Sequence, residues 1–183
     1  MRLFRTLAHD PRSAPDQPGG ALWFPRQFQG EGRHDNPGLY GCLYVSELPL
    51  SAVVEALAAF RGSGALRPEM LTRFGLGLAL VELALAEEAA LVDLDDPVVL
   101  GRERLRPSVV ATRRRAVTQA QAAHLHSVHD TAGLRWWSAL ESSWINVTLF
   151  DRAARALAVA VVEPLVVSHP VVRDAGEFLG LIA

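Results

Sequence analysis

The sequence predicts a single α+β domain built on a mixed β-sheet with flanking helices. Three observations carry this: strand-like and helix-like segments interleave along the whole chain, no internal repeat or low-complexity tract interrupts them, and half of the 183 residues are hydrophobic. That much apolar material buries a substantial core without disulfides or metals. Interleaving alone also admits an α/β arrangement. The domain is expected to span residues 1–183.

Residues 1–8 read as a first strand, followed by a Pro/Gly/Asp-rich loop over Asp10–Gly20. From Ala21 to Gly38 the segment WFPRQFQGEGRHDNPG forms an ordered loop: Gly30, Gly32, Pro37 and Gly38 prevent regular structure, while Trp23, Phe24 and Phe28 supply anchors. Leu39–Ser46 (LYGCLYVS) is apolar or aromatic on both alternating faces, which reads as a buried central strand. Pro49–Arg61 is a helix, with Pro in its first turn, Gly62 as its stop, and Val53, Leu57 and Phe60 at helical spacing. Further strands are expected near 77–85, 89–94, 134–137, 145–150 and 157–163, and further helices near 68–74, 113–128 and 169–180.

The net charge of -2 argues against a protein whose main task is to hold nucleic acid, which leaves a strongly basic footprint. All 18 basic residues are Arg, a bias that fits a GC-rich genome and carries no chemistry. Cys42 stands alone, so no intramolecular disulfide forms and a reducing compartment, the cytoplasm, is expected. The N-terminal MRLFRTLAHDPRS has no apolar run of signal-peptide length. The most apolar windows, Leu76–Leu94 and Ala156–Val167, are broken by Glu82, Glu87, Glu88 and Asp93 or by Glu163 and Pro164, short of the roughly 20 residues a spanning helix needs. A soluble protein is expected.

Three places could carry chemistry. Glu55 is the one ionisable side chain of helix 49–61 before Arg61, set among Val53, Val54, Ala56, Leu57, Ala58 and Ala59. Either it is a buried carboxylate that needs a partner or a cleft, or it marks the solvent-facing position of the helix. Arg33 lies in GEGRHDNPG, where glycines would let backbone N–H groups approach an anion and the guanidinium could fork onto a phosphate. A solvated arginine next to an Asn36–Pro37–Gly38 turn reads equally well. The third place is Gly133–Arg152 (GLRWWSALESSWINVTLFDR), with three of the four tryptophans interleaved with Ser138, Ser142, Ser143, Asn146 and Thr148. This suits a pocket for a flat heteroaromatic ring and a ribose, Asn146 included, and equally an aromatic core with capped turns.

Taken in order, an Arg in a glycine loop, a Tyr-bearing strand, a Glu-bearing helix and a Ser in an aromatic segment resemble the RES-domain family, named for its Arg, Glu and Ser. The resemblance runs over GEGRHDNPGLYGCLYVSELPLSAVVEAL and GLRWWSALESSWINVTLFDR, and more weakly over LVDLDDPVVL and TRRRAVTQAQAAHLHS. It covers most of positions 28–152. It places the family Arg on Arg33, the strand tyrosine on Tyr44, the Glu on Glu55 and the Ser on Ser138, with Ser142 and Ser143 competing for the last. Many members carry an aromatic residue directly after the Arg; this chain has His34, a stacking or hydrogen-bonding substitute.

The resemblance implies a fold like that of ADP-ribosyltransferases and an enzyme that cleaves the nicotinamide–ribose bond of NAD⁺, passing ADP-ribose to phosphate, water or a protein. Neutral nicotinamide leaves an oxocarbenium-like sugar, so a carboxylate beside the ribose stabilises charge developing in the transition state, the role assigned to Glu55. Arg33 would hold the pyrophosphate, Tyr44 would stack on nicotinamide, and Ser138 would bond the ribose or the carboxamide. This requires Arg33 and Glu55 to open onto one cleft. An Xre-type antitoxin is implied as partner, and homo-oligomers are compatible with it. No metal is expected: His124, His126 and His129 lie on a polar helix without the carboxylate–His pattern of a zinc site. Two rival readings are a catalytically inactive RES-like domain that binds a protein, and a nucleic-acid binding module using Arg113–Arg115.

Overall fold

A computed structural model describes residues 1–181. In chain order its elements are β1 (Arg2–Ala8), β2 (Cys42–Ser46), α1 (Pro49–Leu57), β3 (Thr72–Arg73), β4 (Leu76–Leu85), β5 (Leu91–Asp93), α2 (Pro97–Arg102), α3 (Pro107–Val110), α4 (Arg115–Val128), β6 (Gly133–Trp137), β7 (Ile145–Phe150), β8 (Leu157–Pro164) and α5 (Pro170–Leu179). Short 3₁₀ turns cover Arg26–Phe28, Ala58–Phe60, Pro68–Leu71 and Asp151–Ala156. By internal contacts the chain forms two compact units. One comprises Met1–Trp23, Val45–Leu85 and the chain from Ala158; the other comprises Phe24–Tyr44 and Ala86–Leu157. The expected domain 1–183 includes two final positions that lie outside the described residues.

In the first unit β4 is the organising strand. β1 pairs with it antiparallel from Arg2↔Ala84 to Ala8↔Leu78, β3 pairs with its start, and β8 also pairs with it. β2 borders β1 antiparallel at Phe4↔Ser46. Leu3, Val81 and Leu83 from the strands are fully buried with Val53, Val54 and Leu57 of α1 and Val172 and Ala175 of α5. α1 packs on both β1 and α5. α5 opens on Pro170, whose missing N–H costs nothing at a first turn. It closes on Gly180 at φ 69°, with Leu181 N–H bonded back to Gly176 O at 2.8 Å, a left-handed stop that suits glycine.

The second unit contains the strand order β2–β7–β6–β5, β2 contributing its first three residues. β6 runs antiparallel to β7 from Gly133↔Leu149 to Trp137↔Ile145, and parallel to β5 from Leu91↔Gly133 to Asp93↔Arg135. The parallel pair makes the strand arrangement mixed and requires a crossover, supplied by α2, α3 and α4. Tyr40, Cys42, Val92, Leu94, Leu100, Val110, Ala122, Leu125, Leu134, Trp136 and Phe150 form its buried core. The α+β class with a mixed sheet and flanking helices, expected from the sequence, is the observed one.

Gly133 has no room for a side chain. A Cβ there would stand 2.2 Å from the backbone oxygen of Thr148 on the neighbouring strand, and backbone cannot swing aside as a side chain can. Gly133→Ala is therefore expected to destabilise the fold by about 2 kcal/mol, read as a lower urea midpoint.

Three expectations shift. The helix expected near 68–74 is a 3₁₀ turn followed by β3. Thr72 and Arg73 pair with Gly77 and Leu76 across a two-residue turn in which Phe74 (φ 53°) and Gly75 (φ 77°) both adopt left-handed conformations, so hairpin pairing overrides local helix propensity. The strand expected over 39–46 starts at Cys42, because Leu39 and Tyr40 both bond Asn36 O in a turn. α2 and α3 were not expected. Each is short and opens on a proline, and Asp96 caps α2 by accepting from Val98 N–H. Among the described residues no helix is long and apolar enough to cross a membrane.

Candidate functional site

The glycine loop is built around a carboxylate that belongs to the chain itself. Asp35 is buried, and its Oδ2 accepts the N–H groups of Gly30 (2.9 Å) and Gly32 (2.7 Å), while its Oδ1 accepts the hydroxyl of Tyr44 (2.6 Å). That hydroxyl in turn accepts from His34 N–H at 2.9 Å. The two glycine amides expected to approach a bound anion are thus occupied by Asp35, which corrects that part of the sequence reading. Gly32 is required here because a Cβ would lie 2.5 Å from both Asp35 Oδ1 and Tyr44 Oη.

α4 holds the same loop from the other side. Gln119 donates to Gly30 O and Gly32 O, Arg115 to Glu31 O, and the Thr118 hydroxyl to Arg33 O. Arg115, one of the three arginines that raised the nucleic-acid reading, is thereby engaged within the unit. At the loop's start Gln29 mimics a strand, accepting from Cys42 N–H and donating to Cys42 O. Tyr40 and Asn36 both donate to His34 O.

These anchors deliver Arg33 and His34 into the interior. Arg33 is only 6% exposed. Its Nη1 donates to Val110 O and Thr112 O at 2.9 Å each, at the C-terminal end of α3 where helix carbonyls lack partners of their own. Its guanidinium carbon stands 4.9 Å from the Trp136 ring centroid, a cation–π contact. His34 meets the same indole edge-on at 5.3 Å, and its Nδ1 lies 2.8 Å from the Thr148 hydroxyl, which also accepts from Trp136 Nε1 at 3.0 Å. Burial, then the charges of Arg33 and Arg115, push the His34 pKa down to about 3, so the ring is neutral at physiological pH. Burial likewise raises the pKa of Tyr44, which keeps its proton and donates it to Asp35.

Trp136 and Asn146 are cross-strand partners, as are Leu134 and Thr148, so all four point to one face of the β6–β7 pair. Asn146 is buried on that face. Ser138 follows β6, buried, its Oγ accepting from Leu140 N–H and its own N–H bonded to Trp144 O. Ser142 and Ser143 are exposed, and Ser143 is tied to Glu141.

Arg33, His34, Tyr44, Ser138 and Asn146 thus all belong to the second unit, with direct links among the first three through Asp35 and the His34 amide. Glu55 belongs to the first unit, on an exposed position of α1 whose buried face is Ser51, Ala52, Val53, Val54 and Leu57. The carboxylate is therefore exposed, not buried as the first of the two sequence readings required. Asp35 was not singled out from the sequence, and Thr148 was named only among the polar residues between the tryptophans. Among the described residues no group of His, Cys, Asp and Glu is arranged to hold a metal ion.

Among curated protein sequences none matches this chain. The crystal structure of the M. tuberculosis MbcT–MbcA toxin–antitoxin complex contains a chain 16% identical to this one, covering 98% of this chain and 87% of that chain with a TM-score of 0.64. At that identity the likeness is one of fold. The sequence model of the RES domain matches residues 2–174, nearly the whole chain, and the protein therefore belongs to the RES-domain family.

Proposed function

We propose that this RES-domain protein consumes NAD⁺ by cleaving its nicotinamide–ribose bond, and that residues 1–183 act as one domain in doing so. The observation that carries the reading is the buried Arg33 guanidinium, oriented by two carbonyl oxygens and an indole face before any ligand arrives. A cation fixed in this way holds a pyrophosphate without reorganising, and so presents the reacting sugar in one pose. Ser138 and Asn146 offer hydrogen bonds to the ribose or the carboxamide, and the Tyr44 ring, half-buried, offers a stacking surface. His34, neutral, takes the place of the aromatic residue many family members carry after the Arg.

In this reading Glu55 supplies the carboxylate that stabilises the positive charge developing on the ribose as nicotinamide departs. The acceptor of ADP-ribose is phosphate, water or a protein side chain. The fold likeness to a chain of a toxin–antitoxin complex supports a toxin held in check by an antitoxin, and the resemblance to the RES family implies an antitoxin of Xre type. A buried lone Cys42, its pKa raised by burial, suits the reducing cytoplasm.

The test is nicotinamide release from NAD⁺ by purified protein, with and without inorganic phosphate. The wild type is expected to release nicotinamide, and Glu55→Ala to lose activity by about a hundredfold or more while unfolding at the wild-type temperature, because the side chain is exposed. Equal turnover by both proteins removes Glu55 from the site. No turnover by the wild type, together with unchanged intracellular NAD⁺ after induced expression, favours an inactive protein-binding domain.

A further inference from the structure

We infer that Asp35 is a positioning residue for this site: its carboxylate fixes the amides of both residues flanking Arg33 and acts on turnover through that arginine without touching substrate. The inference rests on the NAD⁺ reading above and deepens it.

The geometry is a closed ring of bonds. Preceding Arg33, the Gly32 N–H is bound by Asp35 Oδ2; following it, the His34 N–H is bound by the Tyr44 hydroxyl, which donates to Asp35 Oδ1. The backbone N–H groups of the residues on either side of Arg33 therefore both refer to one buried carboxylate. Gly30 N–H closes the turn onto the same oxygen as Gly32. The absent side chain at Gly32 is what lets the carboxylate and the phenol meet there, each 2.5 Å from where a Cβ would stand.

An acid is needed, and not merely a polar group of the same shape. Two amides and one hydroxyl all donate to Asp35, and a carboxylate is acceptor at both oxygens. An asparagine can accept at one only. With its oxygen toward the glycine amides, its NH₂ opposes the Tyr44 hydroxyl, whose proton then loses its acceptor; with the amide flipped, NH₂ faces two N–H donors. Either way at least one donor of the ring is left without its acceptor. The loop remains tethered to α4 through Thr118, Gln119 and Arg115, so the fold survives while Arg33 loses its fixed approach.

The experiment is a double-mutant cycle in NAD⁺ turnover with Asp35→Asn and Arg33→Lys. Asp35→Asn alone is expected to lower kcat/KM by about tenfold to a hundredfold, the penalty of a misplaced binding group. In the Arg33→Lys background, where the oriented guanidinium is already gone, the same substitution is expected to cost less than about twofold, the non-additivity of coupled residues. A purely structural acid would depress both backgrounds by the same factor, and that result, or wild-type kcat/KM in Asp35→Asn, overturns the inference. Amide hydrogen exchange at Gly30 and Gly32 reads the clamp without NAD⁺: protection in the wild type and its loss in Asp35→Asn is expected, and unprotected amides in the wild type overturn it. If the wild type consumes no NAD⁺, it is the functional reading that has failed and the positioning role falls with it, while the exchange data still report whether the ring of bonds exists.

Discussion

Arg33→Ala is expected to lower kcat/KM for NAD⁺ by about a hundredfold to a thousandfold, the scale on which loss of one preorganised charge-stabilising donor is felt. The guanidinium is buried, spans two carbonyl oxygens and lies over Trp136, so its position is set by the protein and not by the ligand. Arg33→Lys keeps the charge but replaces a planar fork by a point donor, and is expected to recover only a minor part of the loss. Truncation also leaves Val110 O and Thr112 O short of a donor in the interior, a cost of about 1–3 kcal/mol. Activity must therefore be compared on protein shown to be folded, by circular dichroism at the assay temperature. Folded Arg33→Ala with wild-type kcat/KM would remove the pyrophosphate role.

The alternating and helical hydrophobic patterns made most of the fold legible. Strands at 2–8, 76–85, 133–137 and 145–150 and helices at 49–57, 115–128 and 170–179 follow from periodicity and from Pro and Gly punctuation, because in each the pattern and the tertiary environment agree. The segment 68–74 failed because its structure is decided by pairing to β4, a partner that local propensity does not see. α2 and α3 failed because helices of one or two turns carry too few residues to show a period.

The residues proposed for the site could be named from the sequence, but their hydrogen bonds could not be foreseen. Arg33 was named from a glycine-flanked loop and His34 from the family resemblance, but nothing in sequence distinguishes a glycine amide held open for a ligand from one committed to Asp35. That distinction depends on a loop folding back by three and five residues, which no periodicity records. The partners of Thr148 were hidden for a related reason. Its partners, His34 and Trp136, lie 114 and 12 residues away, and only the β6–β7 register brings them onto one hydroxyl. Glu55 shows the converse: its apolar sequence neighbourhood left burial and exposure both open, and α1 turns that position outward.

The pH dependence of stability is the sharpest test of the wiring that the sequence did not reveal. The folded-state pKa of His34, about 3, lies below its ordinary value of 6.5. Above pH 6.5 the ring is neutral in both states and titration contributes nothing. As pH falls from 6.5 toward 3 the unfolded chain binds a proton that the folded protein refuses. Stability is therefore lost at about 1.4 kcal/mol per pH unit from this group, roughly 2–3 kcal/mol by pH 4.5, and the loss levels off below pH 3. Carboxylates and His126 add slopes of their own, so the measurement is a difference: urea unfolding at pH 7.5 and 4.5 for the wild type and for His34→Phe. The phenylalanine loses the Thr148 contact at every pH, a constant offset, but has nothing to protonate. It is expected to lose about 2–3 kcal/mol less than the wild type on acidification. Identical losses in the two proteins would mean that His34 accepts its proton in the folded state, and so is not the dry, neutral ring wedged between Arg33, Trp136 and Thr148.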